Sequence, residues 1–150
     1  TKINSIIYYI FLTYKTNKKY KIIIKKKNST LIKSFYLSNF ILLIFYLFPG
    51  SLLGYILYEN IHIQPQITKN FIVSSNHFYA FIILSTIGVF AYSKTKKLNI
   101  LIKYLFLLSI ILESLHIIIP NRSFEWIDLF GNISGIVVII IIYKIKKIYV

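Results

Sequence analysis

The chain has 150 residues, 57% of them hydrophobic, and a formal net charge of +14. With a mean hydropathy of +0.69 it carries more apolar surface than a soluble domain of this length can hide in a core, so lipid must solvate much of it. It has no cysteine, which excludes disulfides, thiol nucleophiles and thiolate metal sites.

Residues 1–34 open with the apolar run "INSIIYYIFLTY" and continue into clustered lysines. Its apolar stretch of about twelve positions is too short to cross a bilayer, and the lysines would hold it against anionic headgroups. The expectation is a basic, partly amphipathic interfacial segment, with a short hairpin over 19–33 as the alternative. A cleavable signal peptide is not expected, because no basic segment precedes the run and no small-residue cleavage site follows it.

Crossing about 30 Å of hydrocarbon takes about 20 helical residues. Four runs approach that length: 35–58, 76–93, 98–119 and 128–143. Pro49 and Gly50 interrupt the first and are expected to kink the helix rather than end it. The fourth is short, and reaches the required length if its helix begins near Ser123, whose hydroxyl could cap it. The expected fold is therefore all-α, a polytopic membrane protein of four transmembrane helices spanning 35–143, followed by a basic tail, 144–150.

Lysine placement orients this bundle, since short basic flanks stay on the cytoplasmic side. Eight lysines lie in the 15–33 segment before the first run, Lys94, Lys96 and Lys97 separate the second from the third, and Lys144, Lys146 and Lys147 follow the fourth. The alternate loops carry only Lys69 and Arg122. Both termini are expected in the cytoplasm, with the 59–75 and 120–127 loops outside. That distribution also accounts for the charge without invoking nucleic acid.

Between the third and fourth runs lies "LESLHIIIPNRSFEWIDLFGN", which holds Glu113, Glu125 and Asp128, His116, and the only arginine and tryptophan, Arg122 and Trp126. Glu113 and His116 share a helix face, as do Asp128, Asn132 and Gly135. A carboxylate inside the membrane costs on the order of 2.5 kcal/mol or more unless paired or hydrated, so Glu113 must face protein. Gly131 and Gly135 form a small-xxx-small patch suited to close helix packing. His77 opens the second run at the same level, so His77, Glu113, His116, Arg122, Asp128 and Asn132 are the candidate ligand-binding residues. Structural pairing of Arg122 with Asp128 or Glu113 is the plain alternative. The side chains suit zinc in type, but one Glu-x-x-His spacing is too little to assign a metal or any other cofactor. Glu59, His62 and Lys69 read as solvated loop residues, and Trp126 as part of an interfacial aromatic belt.

The series Glu113, Arg122, Asp128, Asn132 and Gly135, in that order and spacing, resembles the VanZ-like family of small membrane proteins. "SSNHFYAF" keeps His77 and Phe78 of another family element but lacks its acid–lysine pair, and His116 stands where glutamine is frequent. The resemblance covers about 35–143. It implies a multi-pass protein of the bacterial cytoplasmic membrane linked to the cell envelope, and no known reaction. Three functions are consistent with these residues. The first is recognition of a polar group of an envelope lipid or glycan by the outer cluster. The second is an accessory-subunit role in a larger membrane complex, docked through its apolar faces and the Gly50 and Gly54 pair. The third is an enzyme in which Glu113 transfers a proton and Arg122 stabilises negative charge.

Overall fold

A computed structural model describes Thr13, Lys15, Thr16 and residues 29–149, and five α-helices lie within 29–149. The expected interfacial run over 3–14 lies almost wholly outside the described residues. Helix α1, Ser29–Leu47, begins six residues before the expected start of the first run. It buries Phe35, Leu42 and Tyr46, seven and four residues apart, while Tyr36, Leu37, Phe40, Ile41 and Ile44 stay exposed on the remaining surface.

The first run is not one kinked helix. It breaks after Leu47 and resumes as α2, Leu52–Tyr58. Pro49 has no N–H to continue the ladder, Gly50 turns the chain with a φ of +85°, and Ser51 accepts from the Gly54 amide at 2.9 Å to cap the new helix. The chain then folds back so closely that a Cβ on Gly54 would collide with the carbonyl oxygens of Asn60 and Ile63, and one on Gly50 with that of Ile61. Both glycines therefore pack against their own chain and are not available to a neighbouring subunit.

Helix α3, Ser75–Tyr92, and α4, Leu98–Leu115, have 18 residues each. The latter stops four residues short of the expected boundary, in turns through His116 to Ile118. Helix α5, Trp126–Tyr149, has 24 residues and continues past the expected end, carrying Lys144, Lys146 and Lys147 on its last turns. It does not begin at Ser123, whose hydroxyl donates to the Glu125 carboxylate at 3.1 Å instead of capping the helix. Helices α1, α4 and α5 are long and apolar enough to cross a membrane. Although α3 matches α4 in length, its first turn is the polar Ser75, Asn76 and His77.

Successive long helices run antiparallel, so α1 opposes α3 while α5 runs parallel to it. Phe35, near the start of α1, covers Gly88 near the end of α3, whereas Tyr46 at the end of α1 meets His77 at the start of α3. Helix α5 lies tightest on α3, where a Cβ on Gly131 would sit 2.8 Å from the Ser74 carbonyl oxygen and one on Gly135 2.6 Å from that of Phe78. The small-residue patch thus performs the close approach its spacing predicts. Along α4, Leu101, Leu105, Leu108 and Leu112 face inward, while Ile100, Leu107, Ile110 and Ile111 are exposed. Such continuous exposed apolar stripes belong in hydrocarbon, and the chain is a helical membrane protein.

Candidate functional site: a buried polar cluster at one end of the bundle

Four helix ends meet at one level: the C-termini of α1 and α4 and the N-termini of α3 and α5. Helical spacing aims Glu113 inward on the same face as Leu105, Leu108 and Leu112, and it is fully buried with no exposed surface. Asp128 and Asn132, one turn apart on α5, lie on the face that Gly131 and Gly135 press against α3, so they too are drawn inside. His77 completes the wall from α3. One ligand-type atom from each of His77, Glu113 and Asp128 lies within 4.8 Å of the others.

The hydrogen bonds are specific. His77 Nε2 is 3.2 Å from Asp128 Oδ2, and its Nδ1 is 3.0 Å from the Tyr46 hydroxyl and 3.2 Å from Asn132 Oδ1. Tyr46 also donates to Asn132 Oδ1 in a short bond. Glu113 Oε1 faces His116 Nδ1 at 3.3 Å and accepts from the Glu125 amide at 3.1 Å. Its other oxygen, Oε2, has no hydrogen-bond partner and lies 3.8 Å from His77 Nδ1. The His116 ring stacks on Tyr46 with centroids 5.8 Å apart, and its Nε2 is 3.1 Å from the Tyr46 carbonyl oxygen.

Arg122 departs from expectation. No ion pair joins it to Glu113 or Asp128 among the described residues, whose carboxylate contacts within 4.0 Å are all to histidine. It donates instead from Nη2 to the Phe45 carbonyl oxygen at 3.1 Å. The reason lies in the α1 break. The carbonyl of Phe45 would accept from the N–H four residues on, which is Pro49, and proline has none. Arg122 fills that vacancy, and His116 does the same for the next carbonyl, Tyr46. Burial pulls the Arg122 guanidinium below its ordinary range, with Asp128 the strongest influence in the other direction.

Beside the cluster a cavity of about 440 Å³ runs between α1 and α3 under the residues of α2 and the following loop. Ile41, Leu42, Phe45, Ala80, Ile83 and Leu84 make its apolar wall, and Tyr46, Ser51, Gln64, Asn76, His77 and Arg122 its polar end. Within the Arg122 side chain, Nε is buried and has no hydrogen-bond partner.

Five of the six candidates, His77, Glu113, His116, Asp128 and Asn132, therefore come together in one buried network, with Arg122 at its edge on the cavity. Glu59 and His62 are exposed, as their loop position suggests, and Trp126 is exposed beside Phe124 and Phe130. Tyr46 is the central residue that sequence reasoning missed. Its signal was its place, the last inward position of α1 before the Pro49 break. No family model matches the chain, and neither does any curated protein or solved structure.

Proposed function

We propose that this chain is a VanZ-like membrane protein that binds the polar group of an envelope lipid or lipid-linked glycan at the outer end of its bundle. All four long helices cross the bilayer in this reading, with both termini cytoplasmic. It draws support from the antiparallel order of α1, α3, α4 and α5, which puts Lys94, Lys96, Lys97, Lys144, Lys146 and Lys147 at one end and Arg122 with the buried cluster at the other. The family assignment draws support from the ordered series Glu113, Arg122, Asp128, Asn132 and Gly135 meeting at one place in the fold.

The observation that carries the function is the cavity. Its apolar wall suits an acyl chain, and that wall ends at Arg122, whose Nε is unpartnered, and at His77. Arginine presents several donors in a planar fork, so a phosphate or carboxylate is the group this end would hold. The matching role of Arg122 as a carboxylate partner within the protein is weakened by its actual contact with the Phe45 carbonyl. The subunit-docking alternative loses its glycine pair, which the chain itself covers.

The test is native mass spectrometry of detergent-solubilised protein offered phosphatidylglycerol and phosphatidylcholine. The anionic lipid is retained preferentially, and Arg122→Ala abolishes that preference while the helical circular dichroism stays unchanged. Equal retention of both lipids by the native chain, or collapse of helicity in the variant, would reduce Arg122 to a cap for α1.

A further inference from the structure

We propose that His77, Glu113 and Asp128 form a binding site for a divalent transition-metal ion, zinc by its donor set. The three residues come from three different helices, and their ligand-type atoms fall within 4.8 Å of one another in a buried position. A chance grouping of surface acids does not look like this. Glu113 is fully buried, yet Oε2 has no hydrogen-bond partner and lies 3.8 Å from the nearer nitrogen of His77, Nδ1, whereas Oε1 is already held by His116 and the Glu125 amide. A buried carboxylate oxygen left bare is costly unless something cationic sits against it.

The tautomer of His77 points the same way. The Tyr46 hydroxyl proton goes to Asn132 Oδ1, so at Nδ1 the Tyr46 oxygen and Asn132 Oδ1 are both acceptors. That places the imidazole proton on Nδ1 and the lone pair on Nε2, facing the Asp128 carboxylate at 3.2 Å. Two acceptors at that separation need a proton or a metal ion between them. Metal bonds of about 2.0–2.2 Å at tetrahedral to octahedral angles hold two donor atoms about 3.0–3.5 Å apart, which brackets the His77–Asp128 spacing, and Glu113, whose ligand-type atom lies within 4.8 Å of theirs, swings inward to complete the set. One imidazole and two carboxylates suit zinc better than a hard oxygen-seeking ion such as calcium.

The surrounding contacts are those that metal ligands require. A ligating histidine donates its other N–H to a carbonyl, here Asn132 Oδ1, and ligating carboxylates are themselves held, as His116 and the Glu125 amide hold Glu113. The side chains of His77 and Asp128 keep 9% and 10% of their surface exposed, and His77 lines the cavity, which gives an ion a way in.

Protein purified in detergent without chelator and dialysed against micromolar zinc should carry stoichiometric metal by elemental mass spectrometry. X-ray absorption at the zinc edge should show only nitrogen and oxygen neighbours, with imidazole among them. Glu113→Gln and Asp128→Asn should each lose the metal, His116→Ala should weaken it about ten- to a hundredfold, and His62→Ala should leave it in place. Native protein that stays free of zinc after dialysis overturns the proposal and leaves a proton shared between His77 and Asp128 in the ion's place. Zinc retained by both carboxylate variants overturns it equally. Should those variants fail to fold, the absorption spectrum of the native protein decides, and a spectrum without imidazole counts against the site.

Discussion

The two ends of the bundle handle charge in opposite ways. At the lysine-rich end the ions remain outside. Lys33, Lys94, Lys96, Lys97, Lys144, Lys146 and Lys147 are exposed, while inside Phe35 meets Tyr36, Tyr92 and Tyr104 edge-on and Gly88 and Leu101 pack beneath its ring. At the other end the charge is inside, where Glu113, Asp128, His77 and His116 are buried with Asn132 and the Tyr46 hydroxyl. Exposed lysines at helix ends are explained by topology and solubility. Buried carboxylates are not, since each must be compensated locally, and the fold devotes the turns after α1 and α4 and the start of α5 to doing so.

The contrast is broken most sharply by orientation. In the proposed topology a cysteine at Ser123 reacts with a membrane-impermeant thiol reagent in intact cells, and one at Thr95 reacts only after the membrane is opened. Both positions are exposed, and the chain has no cysteine of its own to confuse the readout. The reverse pattern would put the buried cluster at the cytoplasmic face and remove the envelope-facing reading altogether.

Packing sharpens it next. At the cluster end, a Cβ on Gly135 would lie 2.6 Å from the Phe78 carbonyl oxygen, a backbone atom that cannot retreat without parting α3 from α5. Gly135→Ala should destabilise the fold by about 3 kcal/mol, the upper part of the usual overpacking range. At the lysine end, the Cβ of Gly88→Ala would meet the Phe35 ring at 3.0 Å, and a side chain can turn aside. There the cost should be no more than about 1 kcal/mol, because alanine also gains up to that amount over glycine in helix propensity. Unfolding of the two variants by SDS in mixed micelles compares them directly, and equal losses would mean that the α3–α5 contact is no tighter than the rest.

How much of this was legible in the sequence follows from the same contrast. Periodicity sufficed for the inward placing of Glu113, Asp128 and Asn132, because helical spacing assigns faces and membrane burial of charge assigns direction. The small-xxx-small spacing marked the close-packing face of α5, and only the structure names α3 as its partner. What it could not provide was the outcome of the Pro49 break. Read locally, a proline in an apolar run is a kink; only the loop return of 59–63, with Ser51 donating its amide to the Ile61 carbonyl at 2.7 Å, turns it into a helix end. That end then determines the partner of Arg122, which takes the carbonyl Pro49 leaves open and not the carboxylates that charge alone would choose. Tyr46 escaped notice for the same reason, since its hydroxyl acquires meaning only when α1 stops beside α3.

Tyr46 also supplies the smallest and most discriminating comparison. Its hydroxyl touches His77 Nδ1 and Asn132 Oδ1, both buried, whereas the Tyr92 hydroxyl at the other end meets that of Tyr36 at 3.5 Å in an exposed position. Tyr46→Phe removes one donor from a network that has little slack, but His77 Nδ1 keeps Asn132 Oδ1 at 3.2 Å, so the loss is bounded. The expected cost is about 1–2 kcal/mol, that of a buried hydrogen bond whose acceptor retains a second partner. Tyr92→Phe should fall within about 0.5 kcal/mol of the native chain, as exposed substitutions do. Both variants preserve the aromatic ring, the His116 stack and the helix, so the difference between them in SDS unfolding isolates the hydroxyl. If the two were equal, the cluster's hydrogen bonds would be contributing no more than those of the exposed end, and the buried charges would owe their place to packing alone.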